Sequence, residues 1–278
     1  MAIQISNSYI TKLQMVSDGS FNILEDFYGT AGFISASAIG GGGGGLSGIS
    51  TDELVLYFDP SDVTSYSGTG TTLVDISGYP LGVGDFDKDG EMYNLSFTSP
   101  YLEFPGSNSE VVVPDNNILE PSSGDFTLEA WVNHSVIAGK SRTIVSKTSG
   151  GNAGDWSYGL RTTPSGATYL EVGNGTTTVT SPTSTLVTNT WYQVVGVWSN
   201  VASNSISLYI NGNLIGSNSH SFTSVRNVST SLYLGSFNGG EYDQYFQGKM
   251  GVFRMYRKSL SSAEVLSNYN ADKSKYGL

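Results

Sequence analysis

The stretch GVGDFDKDGEMYN, residues 82–94, sets three carboxylates at alternate positions, Asp85, Asp87 and Asp89, with Gly90 directly after the third. Oxygen ligands at alternate positions followed by a glycine are how an EF-hand loop wraps a calcium ion. Counting Asp85 as the first position, the twelfth is Ser96, where that loop needs a bidentate glutamate. The flanking residues read as turn and strand rather than as helices, so this is not an EF-hand. Two readings stay open at Asp85, Asp87 and Asp89: a solvated acidic turn softened by Lys88, and a looser loop around one Ca2+ ion. No other cofactor is asked for by the residues, and none is required.

Catalytic chemistry is harder to find. Glycoside cleavage needs two carboxyl groups about 5–10 Å apart across the scissile bond. Glu129 stands alone in the run DFTLEAWVNH, and Glu171 is followed by VGNG; each suits a carboxylate that faces solvent or balances an arginine. His134 follows AWVN and His220 lies in the polar turn SNSHSF. No Gly-x-Ser-x-Gly elbow stands between a strand and a helix, and no Gly-Lys-Ser/Thr follows the six glycines at 40–45. The chain has no cysteine, which removes disulfides, thiol nucleophiles and cysteine zinc sites. The expectation is that the protein is not an enzyme.

Binding chemistry has better candidates. A sugar site combines an aromatic face for stacking with amides and carboxylates for directed hydrogen bonds. Residues 150–159, GGNAGDWSYG, offer Asn152, Asp155, Trp156 and Tyr158. Residues 238–248, NGGEYDQYFQG, offer Asn238, Glu241, Tyr242, Asp243 and Tyr245. Edge packing competes for the same aromatics, because Trp156 and Tyr158 open a strand and at least one should cover the core. Trp131, Trp191 and Trp198 stand mid-strand and are expected inside.

The elements that must position these groups are strands. The 278 residues include 35 glycines and only 13% charged side chains, while 38% are hydrophobic, enough for a core. DFTLEAWVNH alternates, with Phe126, Leu128, Ala130 and Val132 on one face and Thr127, Glu129, Trp131 and Asn133 on the other. WYQVVGVWS and SISLYI follow, and then Asn211-Gly212, the favoured pair for a type I′ hairpin. One helix is expected over about 262–269, with Ser261 and Glu264 as a capping box, Leu260 stapled onto Val265, and Leu266 and Tyr269 against the sheet. The glycine run marks residues 40–50 as a linker between an arm, 1–39, and a β domain, 51–278. The arm is too small for a core of its own and should dock on something else. A net charge of −11 argues against nucleic acid. No segment approaches the roughly 20 apolar residues of a membrane helix, and the first residues lack the basic start and apolar run of a secretion signal. Synthesis in a cytoplasm is expected.

Between residues 101 and 270 the chain resembles the laminin-G-like, concanavalin A-like lectin/glucanase family. The resemblance is carried in order by YLEFPGSNSEVVVPDNNILEPSSGDFTLEAWVN, RTIVSKTSG, YGLRTTPSG, TNTWYQVVGVWSN, ISLYINGNLIGS, LYLGSFNGG and FQGKMGVFRMYRKSLSSAEVLSNYN. It implies an all-β jelly-roll sandwich of two antiparallel sheets, with a short C-terminal helix and the N-terminal arm outside it. Glucanases of this fold carry Glu-x-Asp-x-x-Glu or Glu-x-Asp-x-Glu on one strand, and no such run occurs here. Where the family usually has Ile-Asp-Glu after F-x-G, this chain has Met250, Gly251 and Val252, which weakens transfer of the family's metal site. Residues 52–78, DELVLYFDPSDVTSYSGTGTTLVDISG, resemble the lead-in of laminin-G-like proteins of tailed bacteriophages. That implies a virion structural protein, a capsid decoration or a tail or fibre part, displayed on the particle surface. It would hold other virion proteins through residues 1–39, open to self-association, with a host glycan as ligand for attachment. A secreted or cell-surface bacterial adhesin is the alternative, and a glycan-active enzyme a lesser one.

Overall fold

A computed structural model describes residues 48–80 and 87–278, preceded by four strands of the N-terminal segment in backbone alone. Those strands are β1 (Ile3–Gln4), β2 (Ile10–Met15), β3 (Phe21–Phe27) and β4 (Phe33–Ile34); β1 pairs with β4 and β2 with β3, both antiparallel. Residues 1–47 and 48–278 are two compact units. The glycine run at 40–45 and the turn at 81–86 lie outside the described residues.

The second unit runs through β5 (Leu54–Phe58), β6 (Thr72–Leu73), β7 (Gly90–Tyr93), β8 (Ser96–Thr98), β9 (Tyr101–Pro105), β10 (Glu110–Val113), β11 (Phe126–His134) and β12 (Arg142–Thr148). It continues with β13 (Trp156–Thr162), β14 (Ala167–Gly173), β15 (Thr178–Thr180), β16 (Ser184–Thr185), β17 (Tyr192–Ser199), β18 (Ser205–Ile210), β19 (Asn213–Ser219), β20 (Leu232–Leu234), β21 (Gln247–Tyr256) and the helix α1 (Ser262–Asp272). One sheet has the order β15-β14-β13-β12-β20-β10-β7-β6, with β16 also on β14. The other has the order β19-β18-β17-β11-β21-β9-β8, with β5 also on β21. Their ladders are antiparallel, and the two inner faces meet in one core that includes Leu128, Val132, Val145, Leu160, Leu170, Leu234, Phe253 and Met255. This is the expected jelly-roll sandwich. At Asn211 and Gly212 φ is 51° and 77°, so the two-residue β18–β19 turn is left-handed at both positions, as a type I′ hairpin requires.

Both faces of β11 are buried, which alternation alone does not announce. Phe126, Leu128, Ala130 and Val132 enter the core between the sheets. Thr127, Glu129 and Trp131 point the other way and are covered by α1 and the residues after it. Trp131 stacks on Tyr276 at 4.4 Å and on Tyr269 at 5.7 Å between ring centroids. Trp198 is likewise fully buried and Trp191 half-buried. Ser261 caps α1, and its reciprocal bond with Glu264 forms the expected box. Leu260 and Val265 are buried and Tyr269 packs against the sheet as expected, but Leu266 is 45% exposed, and the fully buried helix positions are Val265, Asn268 and Asp272. Polar side chains replace the apolar stripe there because they close a charge network. Arg254 meets Glu129 at 3.1 Å and Asp272 at 2.6 Å, and Glu129 also accepts hydrogen bonds from Gln193 (2.8 Å) and Asn268 (2.7 Å). Lys275 joins Asp272 (2.8 Å) to Asp59 (2.6 Å). Gly251, where the family usually carries an acid, leaves the room in which the Tyr276 hydroxyl accepts a hydrogen bond from the Val252 amide (2.9 Å).

Candidate functional site

Four strands bring polar residues into one row. Asn133 on β11 is opposite Lys249 on β21, Lys249 is opposite Glu103 on β9, and Glu103 is opposite Ser96 on β8. Their neighbours Val132, Met250 and Leu102 point into the core, so the pleat turns the row outward. An aromatic wall stands beside it. The Lys249 ammonium lies 4.6 Å from the Tyr101 ring centroid, Tyr101 is 5.6 Å from Trp191, and Trp191 is 4.4 Å from Tyr276. The row lines an open groove of about 520 Å3, closed at its rim by Asn94, Ser135 and Asn189.

Local backbone geometry shapes that rim. Asn94 and Asn189 have φ of 51° and 57°, a left-handed conformation that asparagine accepts better than most residues. The Asn189 amide donates to the His134 carbonyl (2.7 Å), and the Asn94 side chain donates to the Asn108 carbonyl (2.6 Å). Gly248 has φ of 142°, and a Cβ there would collide with the Asn133 carbonyl oxygen. Gly248→Ala is therefore expected to lose about 1–3 kcal/mol of stability, by overpacking at a fixed ladder, readable as a lower urea midpoint. Among the described residues no protein group hydrogen-bonds the side chains of Asn133, Glu103 or Asn189, and Glu103 and Lys249 form no ion pair. The groove thus presents a free acceptor pair, an ammonium and two amides beside aromatic faces. That set suits hydroxyl-rich ligands.

The residues singled out from sequence are placed differently. Trp156 and Tyr158 are buried, and the Tyr158 hydroxyl donates to the Leu119 carbonyl (2.8 Å). Tyr158 belongs to the core between the sheets, whereas Trp156 is buried outside that core against Phe237 (5.1 Å) and the Arg161 guanidinium (4.7 Å), and neither ring is offered to a ligand. Tyr245 is also buried, with its hydroxyl on the Asn108 side chain (3.2 Å). Asp155 accepts from the Asn152 backbone (3.0 Å) and side chain (2.9 Å), which holds its carboxyl below the usual range. Tyr242 is 67% exposed at φ of 58°, its ring against Gly151 and edge-on to Phe237 at 5.7 Å. The two loops therefore do meet. Asp243 pairs with Lys140, and the Asn238 amide approaches the Ser146 hydroxyl at 3.4 Å. The side chain of Glu241 lies outside the described residues.

Asp85 also lies outside the described residues. Asp89 accepts from the Asp75 amide (2.7 Å) and Asp87 from the Asp89 amide (3.2 Å); burial raises the Asp89 carboxyl. Lys88 does not soften the turn from solvent. It is buried, with Nζ 2.6 Å from the Val55 carbonyl and 2.9 Å from Asp75. Among the described residues no group of three or more His, Asp or Glu is arranged for a metal ion. The two strand carboxylates are each held by an arginine, Glu129 by Arg254 and Glu171 by Arg161 at 2.7 Å. His220 stacks on Trp198 at 3.7 Å. Sequence reasoning missed the groove because Asn133, Glu103 and Lys249 are ordinary alternate members of three strands. Only the register across β9, β21 and β11 brings them side by side.

The family described as the concanavalin A-like lectin/glucanases superfamily matches residues 105–266. Among solved structures, a complex of Trypanosoma rangeli sialidase is similar with a TM-score of 0.61 at 17% identity, covering 88% of this chain and 36% of that one. The binding domain of Paraclostridial Mosquitocidal Protein 1 gives 0.62 at 15% identity, covering 80% of this chain and 52% of that one. The botulinum neurotoxin serotype D/C binding domain gives 0.58 at 16% identity, with the same coverages. The chain spans about a third of the sialidase and half of the toxin domains, and at these identities the likeness is one of fold. No curated protein sequence matches the chain.

Proposed function

Because the chain belongs to the concanavalin A-like lectin/glucanases superfamily, we propose that it is a non-catalytic carbohydrate-binding protein that seats a glycan in the groove of Asn133, Lys249 and Glu103. The observation that carries this is a polar row in an open groove of about 520 Å3, in which the Asn133 and Glu103 side chains have no hydrogen-bond partner among the described residues. Sugars combine apolar ring faces with hydroxyls that both donate and accept. The groove answers with a carboxylate, an ammonium and amides, and Tyr101 stands next to Lys249 at its edge. The engagement of Glu129 and Glu171 by arginines supports binding rather than hydrolysis, since a hydrolase needs two carboxyls free to face the scissile bond. That two of the similar structures are binding domains is in keeping with this.

The remaining sequence supports a site of action on a virion. Residues 52–78 resemble the lead-in of bacteriophage laminin-G-like proteins, and residues 1–47 form a unit of their own. The protein is a virion component whose N-terminal arm holds the particle while the sandwich faces outward towards a host glycan. Mass spectrometry of purified particles is the check, and its absence from them would leave the secreted adhesin.

Full-length protein on a glycan array should show saturable binding, and Tyr101→Ala and Asn133→Ala should each weaken it about tenfold, the loss of roughly 1.4 kcal/mol expected for one stacking or bidentate contact. Running the array with Ca2+ and with chelator decides whether the turn at Asp85, Asp87 and Asp89 contributes an ion. Binding that both variants leave unchanged would remove the groove as the site.

A further inference from the structure

Lys147 is fully buried, yet its ammonium faces two carboxylates. On β12 the side chains of Val145 and Lys147 both turn inward, and Lys147 is opposite Tyr158, also fully buried. Nζ lies 2.6 Å from Asp115 Oδ1, 2.9 Å from Glu120 Oε1 and 2.6 Å from the Thr230 carbonyl, so all three N–H groups are engaged by protein. Both carboxylates come from the turn after β10, where a short 3-10 turn over Asn117–Leu119 delivers them to one point. Val113, Leu119, Leu232 and Tyr158 enclose this region of the core.

We propose that Lys147 and Asp115 condense into an intramolecular isopeptide bond, with Glu120 carrying the proton. Lys147 Nζ gives one proton to Glu120 and attacks Asp115 Cγ. The N–C bond forms, one C–O bond of Asp115 breaks, and its oxygen leaves as water with the proton returned by Glu120 and a second from nitrogen. An ammonium and a carboxylate become an amide and water, so the step needs no oxidant, reductant or activating co-substrate. Proximity drives it, since two groups held in contact in a water-poor site react at a high effective concentration. Burial of the lysine adds to the drive, because a neutral amide replaces a desolvated ammonium. Glu120 suits its role: Oε1 lies 2.9 Å from Nζ to take the proton, Oε2 is buried without a hydrogen-bond partner, and burial raises its carboxyl. Asp115, 41% exposed, leaves the water a way out. Among the described residues the other buried lysine, Lys88, pairs with the carboxylate of Asp75, and serves as an internal control.

Intact-mass spectrometry of the denatured full-length protein should find it one water lighter than its sequence. Tryptic digestion should give a branched peptide joining the Asp115 and Lys147 segments, with no cleavage after Lys147. Glu120→Gln should restore the full mass of its own sequence, and folding of this variant is read separately by circular dichroism. A wild-type chain at full sequence mass overturns the proposal whether or not the variant folds. So does a water loss that maps to Asp89-Gly90, where a succinimide would have the same mass. A folded Glu120→Gln protein that still carries the branched peptide removes Glu120 from the step.

Discussion

Replacing Arg254 by methionine is expected to lower stability by about 3–5 kcal/mol, the usual cost of leaving buried charges without their partner. Arg254 is fully buried and held by two carboxylates that are themselves almost fully buried, Glu129 and Asp272. Those carboxylates push its guanidinium well above the ordinary value in spite of burial, while burial pushes the Glu129 carboxyl up. The methionine would fill most of the volume but leave Glu129 with the Gln193 and Asn268 amides alone. Glu129→Gln added to Arg254→Met should recover part of the loss, because the amide carries no charge. Urea unfolding at neutral pH reads both, as a shift of midpoint at constant slope. A loss under about 1 kcal/mol in the single variant would mean that water reaches the network, and the buried-charge account would fail. The same change should weaken glycan binding. The network anchors the last turn of α1, and Tyr276 just beyond it packs on Trp191, which backs Tyr101 beside Lys249 of the groove.

That network also marks the boundary of what the sequence disclosed. Period-two alternation in β11, the Asn211-Gly212 turn and the Ser261–Glu264 box are local signals, each set by residues close in the chain, and each is found in the structure. The sandwich itself followed from many such signals in family order. Glu129 was legible as a carboxylate balanced by an arginine, but not as a buried one: its partners Arg254 and Asn268 lie 125 and 139 positions away, and only the fold brings them to it. Leu266 misled for the reverse reason, since a helix that docks on a charge network turns polar residues inward. The loop aromatics misled too. Trp156 and Tyr158 sit where a loop becomes a strand and are already covered there, Tyr158 by the core and Trp156 by Phe237 and Arg161. The groove residues Asn133, Glu103 and Lys249 carry no local signature, because strand register is a property of pairs of segments and not of either one.

Acidification from neutrality should destabilise the wild-type protein through His134. The ring is buried beside the Arg142 guanidinium, with Nδ1 unpartnered, Nε2 3.4 Å from the Thr162 hydroxyl and Phe246 packed at 4.6 Å. Burial first, and then the charge of Arg142, push its pKa down to about 3 from an ordinary 6.5. Between those values the unfolded chain binds a proton that the native state refuses. The stabilisation is therefore complete above pH 6.5 and is lost as pH falls towards 3, with a limiting slope of about 1.4 kcal/mol per pH unit for one proton. At pH 5 the loss is about 2 kcal/mol. His220 is lowered in the same sense by burial, whereas Glu120 and Glu129 are raised and act in the opposite direction below their folded values. The informative quantity is the difference between wild type and His134→Gln, in which these contributions cancel. Urea midpoints taken from pH 7 to pH 5 should fall more steeply for wild type, and the two curves should converge on the acid side. Parallel curves over that window would show that His134 gains a proton without unfolding, and its burial would then have to be relieved by a local opening of the β11 end, next to Asn133 and the groove.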